Sequence, residues 1–224
     1  GRDRLIVLDL GAGTGAGLAL TAPHLPGPQH WRLVDDDPGL LARAVPPVGA
    51  TVERLSRDLS GGVGPLLDPV PDVVTAAAFF DLAGREWVAS LARALAATRV
   101  PLYATLIYDG RESWEPADPR DAHVLAAFHA DQRRDKGLGP ALGPDAPDAL
   151  AAALAAEGFT VTEARSDWTL AAPRDAALIA ALAEGSAAAV RPVLGAEADG
   201  WLAGRRGATG VRVGHRDILA LPPA

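Results

Sequence analysis

Leu8-Asp9-Leu10-Gly11-Ala12-Gly13-Thr14-Gly15 decides the fold of this chain. The stretch closes a short apolar run that starts at Leu5 and opens onto Ala16 to Ala22, a run of helix formers, so the chain begins as strand, turn, helix. Glycines suit such a turn because the backbone must bend tightly and approach a ligand where a Cβ would intrude. Open α/β sheets bind ligands at the carboxyl ends of their strands, which is where this loop stands.

The alternation continues outward from the loop. Trp31 to Val34 is a second apolar run closed by Asp35-Asp36-Asp37-Pro38, and Gly39 to Val45 reads as a helix with Asp37 as its N-cap. Ala50 to Leu55 and Asp72 to Ala78 read as strands three and four, Glu86 to Ala97 as a helix, and Val100 to Tyr108 as a fifth strand. Asp121 to Gln132 and Asp148 to Glu157 read as helices around a Gly/Pro-rich loop, Gly137 to Pro147, and Phe159 to Ala164 as strand six. Asp175 to Val190 and Ala196 to Ala203 are helical by composition, and Val211 to Leu221 alternates as a final strand, which makes the helical pair an insertion. Strands alternating with helices imply one doubly wound α/β domain over residues 1–224, its sheet mostly parallel.

Composition narrows the partners. A formal net charge of -7 and a single lysine, Lys136, argue against a nucleic-acid partner, because phosphates are held by clustered cations. With no cysteine there is no disulfide framework, no thiolate metal site and no cysteine nucleophile. The histidines are dispersed without ligand spacing, so no metal is expected. No apolar run is read as reaching the ~20 residues of a membrane span, and no signal-peptide pattern opens the chain. The expectation is a cytoplasmic protein without membrane contact. From the absence of any Met, including an initiator, the expectation is that the start of the natural chain was removed or is not shown.

Asp35, about twenty residues beyond the glycines, can accept hydrogen bonds from ribose hydroxyls. Two cofactor classes share that geometry. Asp9, just before the glycines, would repel a pyrophosphate at the first helix N-terminus but attract the amino group and sulfonium of S-adenosylmethionine. Spacing alone admits both, since Ala16 supplies the small residue that a dinucleotide fingerprint wants. An NAD(P)-dependent oxidoreductase is therefore the alternative, weakened by the lack of a Tyr-x-x-x-Lys pair, and a non-catalytic cofactor-binding module is a third reading.

Through Leu8 to Gly15, Leu33-Val34-Asp35 and Arg57-Asp58-Leu59, the chain resembles the class I (Rossmann-like) S-adenosylmethionine-dependent methyltransferase family over roughly its first half. The resemblance implies a seven-stranded sheet of order 3-2-1-4-5-7-6 with strand 7 antiparallel, helices on both faces, and the helical insertion between strands six and seven. It implies Asp58 and Leu59 beside the adenine, and it likens Asp72 to Leu82 to the family's fourth strand and the loop that faces the methyl donor. The cofactor-binding set is then Asp9, Gly11, Ala12, Gly13, Gly15, Asp35, Asp36, Asp58, Leu59, Ala77 and Phe79, with S-adenosylhomocysteine as product. Asp58 reads equally well as a solvated turn residue.

Methyl transfer to an activated donor's acceptor needs mainly alignment and exclusion of water, and a small-molecule acceptor fits the acidic charge. Its contacts are expected on the loops after strands four and five. His129, Asp81 and Tyr108 are the catalytic candidates; Tyr108, Arg111, Trp114, Gln132, Arg133 and Lys136 are the substrate candidates. Segment 111–147 is expected to bind substrate or act as a lid, and 173–205 to cover the site, add a layer, or form a homodimer face. Each candidate also reads as an ordinary core, loop or solvated helix-end residue.

Overall fold

A computed structural model of the chain describes residues 3–223. β1 (Leu5–Leu10), β2 (Gln29–Asp35), β3 (Ala50–Ser56), β4 (Val73–Ala77) and β5 (Leu102–Glu115) are parallel neighbours, with β1 and β4 at the centre. β8 (Gly210–Leu221) runs antiparallel between β5 and β6 (Thr160–Arg165), giving the order β3-β2-β1-β4-β5-β8-β6. This is the expected order with β8 as the reversed strand. The expected count is corrected by an eighth strand, β7 (Trp168–Ala171), which shares the outer edge of β8 with β6. The helical insertion therefore lies between β7 and β8. Four residues are too few to show a period of two, and β7 forms because β8 extends past β6 and leaves an edge to pair.

β5 is also longer than expected. It carries register shifts between Ala104 and Ile107 and between Tyr108 and Glu112, with positive φ at Leu106 and Gly110, and continues along β8 to Glu115. Tyr108, Arg111 and Trp114 are thus strand residues, not members of a loop. Gly110 reads locally as a turn, whereas pairing with β8 carries the strand through it as a bulge.

Both sheet faces are covered. Leu8, Leu10, Val74 and Ala76 pack with α3 (Arg85–Thr98) and α5 (Ala146–Ala156), while Val7, Trp31 and Leu33 pack in a second cluster with Leu18 of α1 (Ala16–Thr21) and Leu41 of α2 (Pro38–Leu41). Burial on both faces explains why these strands read as unbroken apolar runs. A third cluster joins the outer halves of β5 and β8 to α4 (Asp121–Gln132), α6 (Ala176–Leu194) and α7 (Ala196–Arg205). At its centre Trp114 and Trp201 meet edge to face at 5.5 Å, with the Arg205 guanidinium 5.7 Å and 5.6 Å from their ring centres.

α6 corrects one expectation. With 19 residues and a mean hydropathy of 1.5 it is long and apolar enough to cross a membrane by length and composition. Its run is alanine-rich and interrupted by Glu184 and Arg191, so no unbroken apolar span stands out in the sequence. Ile179, Ala183, Ala187 and Val190 form a stripe at helical spacing that packs into the third cluster.

Candidate functional site

The glycine loop leaves β1 with positive φ at Gly11, Gly13 and Gly15. A Cβ on Gly11 would lie 2.5 Å from Phe79 Cδ2, while one on Gly13 would meet nothing within 4 Å. Gly11 is therefore demanded by packing, and Gly13 turns bare backbone to open space. The loop is stitched to β2: the Ala12 amide donates to the Val34 carbonyl at 2.9 Å and the Gly13 amide to Asp35 Oδ2 at 2.8 Å. Asp35 Oδ1 accepts from the Asp37 amide at 3.0 Å. A carboxylate offers about four lone-pair sites, so capacity for ligand hydroxyls remains. Asp37 caps α2 by accepting from the Gly39 and Leu40 amides.

Beyond the loop, along the carboxyl edge of the sheet, is a cavity of about 350 Å³. Gly11, Asp35 and Asp36 line one side, Asp58, Leu59 and Phe79 another, and Lys136, Gly137 and Leu138 close it. The Phe79 ring is propped edge-on by Phe80 at 5.5 Å and Trp87 at 5.4 Å, and Trp87 Nε1 donates to the Leu59 carbonyl at 2.7 Å. Asp58 is both a turn residue and part of the lining. The Ser60 hydroxyl and amide donate to it and hold its carboxyl below the usual range. Arg57, Ala78, Leu82, Gly137 and Leu138 fall in stretches that the sequence singled out without being named as site residues, and the prop Trp87 was missed altogether. Leu138 arrives only through tertiary contact: the Gly84 amide donates to its carbonyl at 3.0 Å, and the Leu142 amide to that of Ala83 at 2.9 Å. Much of the expected lid segment is accordingly strand, helix and a hydrogen-bonded wall.

Asp9 lies beneath the loop and not on this lining. It is 2% exposed and accepts from the Thr75 hydroxyl at 2.7 Å, and burial pushes its carboxyl up to about 7 against the lowering by that bond. Ala12, Gly13 and Gly15 are also outside the lining, and Ala77 borders a second cavity with Gly17, Thr105, Leu106 and Trp168.

The catalytic candidates come together. Tyr108 Oη lies 3.0 Å from His129 Nε2 across β5 and α4, and Asp81 is close enough for its charge to bear on the phenol. Burial raises the Tyr108 phenol, with help from Glu112, Asp109 and Asp81, and burial together with Arg133 lowers the His129 imidazole, so both are neutral at pH 7. Burial also raises the Asp81 carboxyl. Gln132 Oε1 is buried without a donor.

Of the other substrate candidates, Arg111, Trp114 and Arg133 are engaged elsewhere and Lys136 stays at the cavity. Arg111 is held by Asp109 and Asp167, and Asp167 also receives Arg165 at 2.5 Å and Arg212 at 3.0 Å. Trp114 belongs to the core of the insertion and donates to Glu112 Oε1 at 2.6 Å. Arg133 pairs with Asp145 at 3.0 Å; Lys136 borders the cavity with its ammonium 3.3 Å from Asp131. Among the described residues no cluster of three potential metal ligands occurs.

No family model matches the chain. No curated protein sequence matches it either. In structure it is similar to a cyclopropane-fatty-acyl-phospholipid synthase-like protein from Lactobacillus casei, at 18% identity and a TM-score of 0.58 over 95% of this chain and 83% of that one. It is similar also to the cyclopropane synthase MmaA2 from Mycobacterium tuberculosis, at 14% identity and a TM-score of 0.52 over 98% of this chain and 79% of that one. The mycolic acid cyclopropane synthase CmaA1, complexed with SAH and CTAB, gives the same 14% identity and TM-score of 0.52 over 98% of this chain and 79% of that one. The sheet order, its one reversed strand between β5 and the β6 edge, and these likenesses define the class of fold, the Rossmann-like fold of the class I S-adenosylmethionine-dependent methyltransferases.

Proposed function

We propose that this protein transfers a methyl group from S-adenosylmethionine to a small-molecule acceptor, acting chiefly by positioning. The observation that carries the proposal is the cavity of about 350 Å³ at the carboxyl edge of β1, β2 and β4, a volume within the ~300–1,000 Å³ of small-molecule sites. Its chemistry suits an adenosyl group. Leu59, Phe79 and Leu138 offer an apolar slot for the base, Asp35 and Asp36 offer acceptors to ribose hydroxyls, and the glycine loop brings in backbone without side chains. Asp35, Asp36 and Asp58 outnumber Arg57 and Lys136 on the lining, a balance that disfavours the pyrophosphate of a dinucleotide. Asp9 sets a negative charge beneath the loop once ionised, favouring a cationic ligand above it.

When bound, S-adenosylmethionine supplies a methyl group on a positively charged sulfur, already activated for displacement. The chain's part is to hold the acceptor in line and keep water out, for which the buried apolar lining of Leu59 and Phe79 serves. Calorimetric titration with S-adenosylmethionine, S-adenosylhomocysteine and NAD tests the reading. Micromolar binding of the adenosyl ligands without NAD is expected; NAD binding alone would overturn it.

A further inference from the structure

A second cavity, of about 530 Å³, opens on the face of the sheet that α1 covers. α1 is six residues long, and the insertion helices pack over the outer halves of β5 and β8, so the middle of this face is left uncovered between them. Ala77 of β4, Tyr103 and Thr105 of β5 and Asp217 of β8 line the cavity from the sheet; Gly17 and the exposed Leu20 line it from α1, and Trp168 from β7. Ala77 and Ala78 are consecutive at the end of β4 and line one cavity each, so the two cavities flank the same stretch of backbone.

The lining is mostly apolar and, among the described residues, includes no Lys or Arg. Asp217 brings a carboxylate. Its Oδ1 accepts from the Leu106 amide at 2.9 Å and from the Ser166 hydroxyl at 2.5 Å, which leaves the lone pairs of Oδ2 for a ligand. A second carboxyl stands behind Gly17, where a Cβ would lie 3.4 Å from Asp9 Oδ2. The other titratable groups on the lining are the exposed His24 and Tyr103, whose phenol is raised by burial and by Asp217 and is neutral at pH 7. An anion would meet negative potential here. An ammonium would shed its water at an apolar wall for a carboxylate that already receives two donors. A neutral hydroxyl on an apolar body matches the lining at lower cost.

We propose that this cavity is a binding site for a neutral, mostly apolar molecule whose hydroxyl donates to Asp217 Oδ2 and whose apolar body packs against Trp168. On the methyl-transfer reading above this molecule is the acceptor; the binding itself stands without that reading.

Trp168 is half-buried and the other four tryptophans are buried, so its fluorescence reports on this cavity. The test titrates the protein with four probes built on one ring: 4-butylphenol, butylbenzene, 4-butylbenzoate and 4-butylbenzylammonium. By calorimetry 4-butylphenol is expected to bind about fivefold or more tightly than butylbenzene and about tenfold or more tightly than either ion, the scale of one hydrogen bond to a charged group. It should bind equally well with S-adenosylhomocysteine present, because the first cavity is lined by other residues. Trp168→Phe should abolish the fluorescence change while calorimetry still finds 4-butylphenol within about threefold. Asp217→Asn should remove at least half of the preference for 4-butylphenol over butylbenzene and admit 4-butylbenzoate, with a far-ultraviolet circular dichroism spectrum like that of the wild type showing that the variant is folded. A fluorescence change that survives Trp168→Phe, competition by S-adenosylhomocysteine, or an ion that binds more tightly than 4-butylphenol overturns this proposal. Failure of S-adenosylhomocysteine to bind while 4-butylphenol binds as described overturns the methyl-transfer reading and leaves this site standing.

Discussion

Replacing Asp9 by Asn should make the ligand-free protein more stable at pH 8 and no more stable at pH 4. The carboxyl is buried to 2% exposure with the Thr75 hydroxyl as its hydrogen-bond partner, and burial lifts it from the ordinary carboxylate range to about 7. The folded state thus holds this proton to higher pH than the unfolded chain does. The group's contribution is most favourable at low pH and falls as pH rises from about 4 to about 7, where it levels off. At ~1.4 kcal/mol per tenfold change in proton affinity, the upper bound on the loss is about 4 kcal/mol. Asn keeps an acceptor for Thr75 but must house an unpartnered amide N–H, which returns ~1–2 kcal/mol. A net gain of about 2 kcal/mol at pH 8 is expected in urea unfolding. Between pH 4 and 7 the wild-type midpoint should fall while that of the variant stays flatter. Equal slopes in the two proteins would refute the assignment of a buried, proton-holding Asp9.

Further outcomes follow from the same geometry. Gly11→Ala forces a Cβ to 2.5 Å from the Phe79 ring at a positive φ and should lose ~2–4 kcal/mol with adenosyl binding abolished in calorimetry, whereas Gly13→Ala, with open space around it, should lose only ~1 kcal/mol. Asp35→Ala removes the acceptor of the Gly13 and Asp37 amides and should weaken S-adenosylhomocysteine binding at least about tenfold, with ~1–2 kcal/mol of stability lost on denaturation. Trp201→Ala empties the centre of the insertion cluster and breaks the Asp121 hydrogen bond, so denaturant titration should show a loss of ~3–5 kcal/mol, while folded protein still binds the adenosyl ligands.

What the amino-acid sequence determined by itself was the half of the candidate site built on β1 to β3. The glycine loop, Asp35 at the end of β2 and Asp58-Leu59 after β3 are local signals, because a turn with positive φ, a strand end and a cap each declare themselves within a few residues. The same locality made the parallel core legible, since strands buried on both faces are apolar throughout. Tertiary structure alone decided the rest. β7 and the extension of β5 exist because β8 offers edges to pair, and a four-residue strand or a strand through Gly110 has no signature without its partner. Leu138 reaches the cavity, and Trp87 comes to prop Phe79 beside it, through contacts about fifty and thirty residues away in sequence, with Gly84 and Leu59. Tyr108 and His129 read as separate residues of uncertain use until a bulged strand and the packing of α4 set their side chains 3.0 Å apart. Distance in space, not residue type, turned them into a pair, and that is information a linear pattern of apolar and polar residues does not hold.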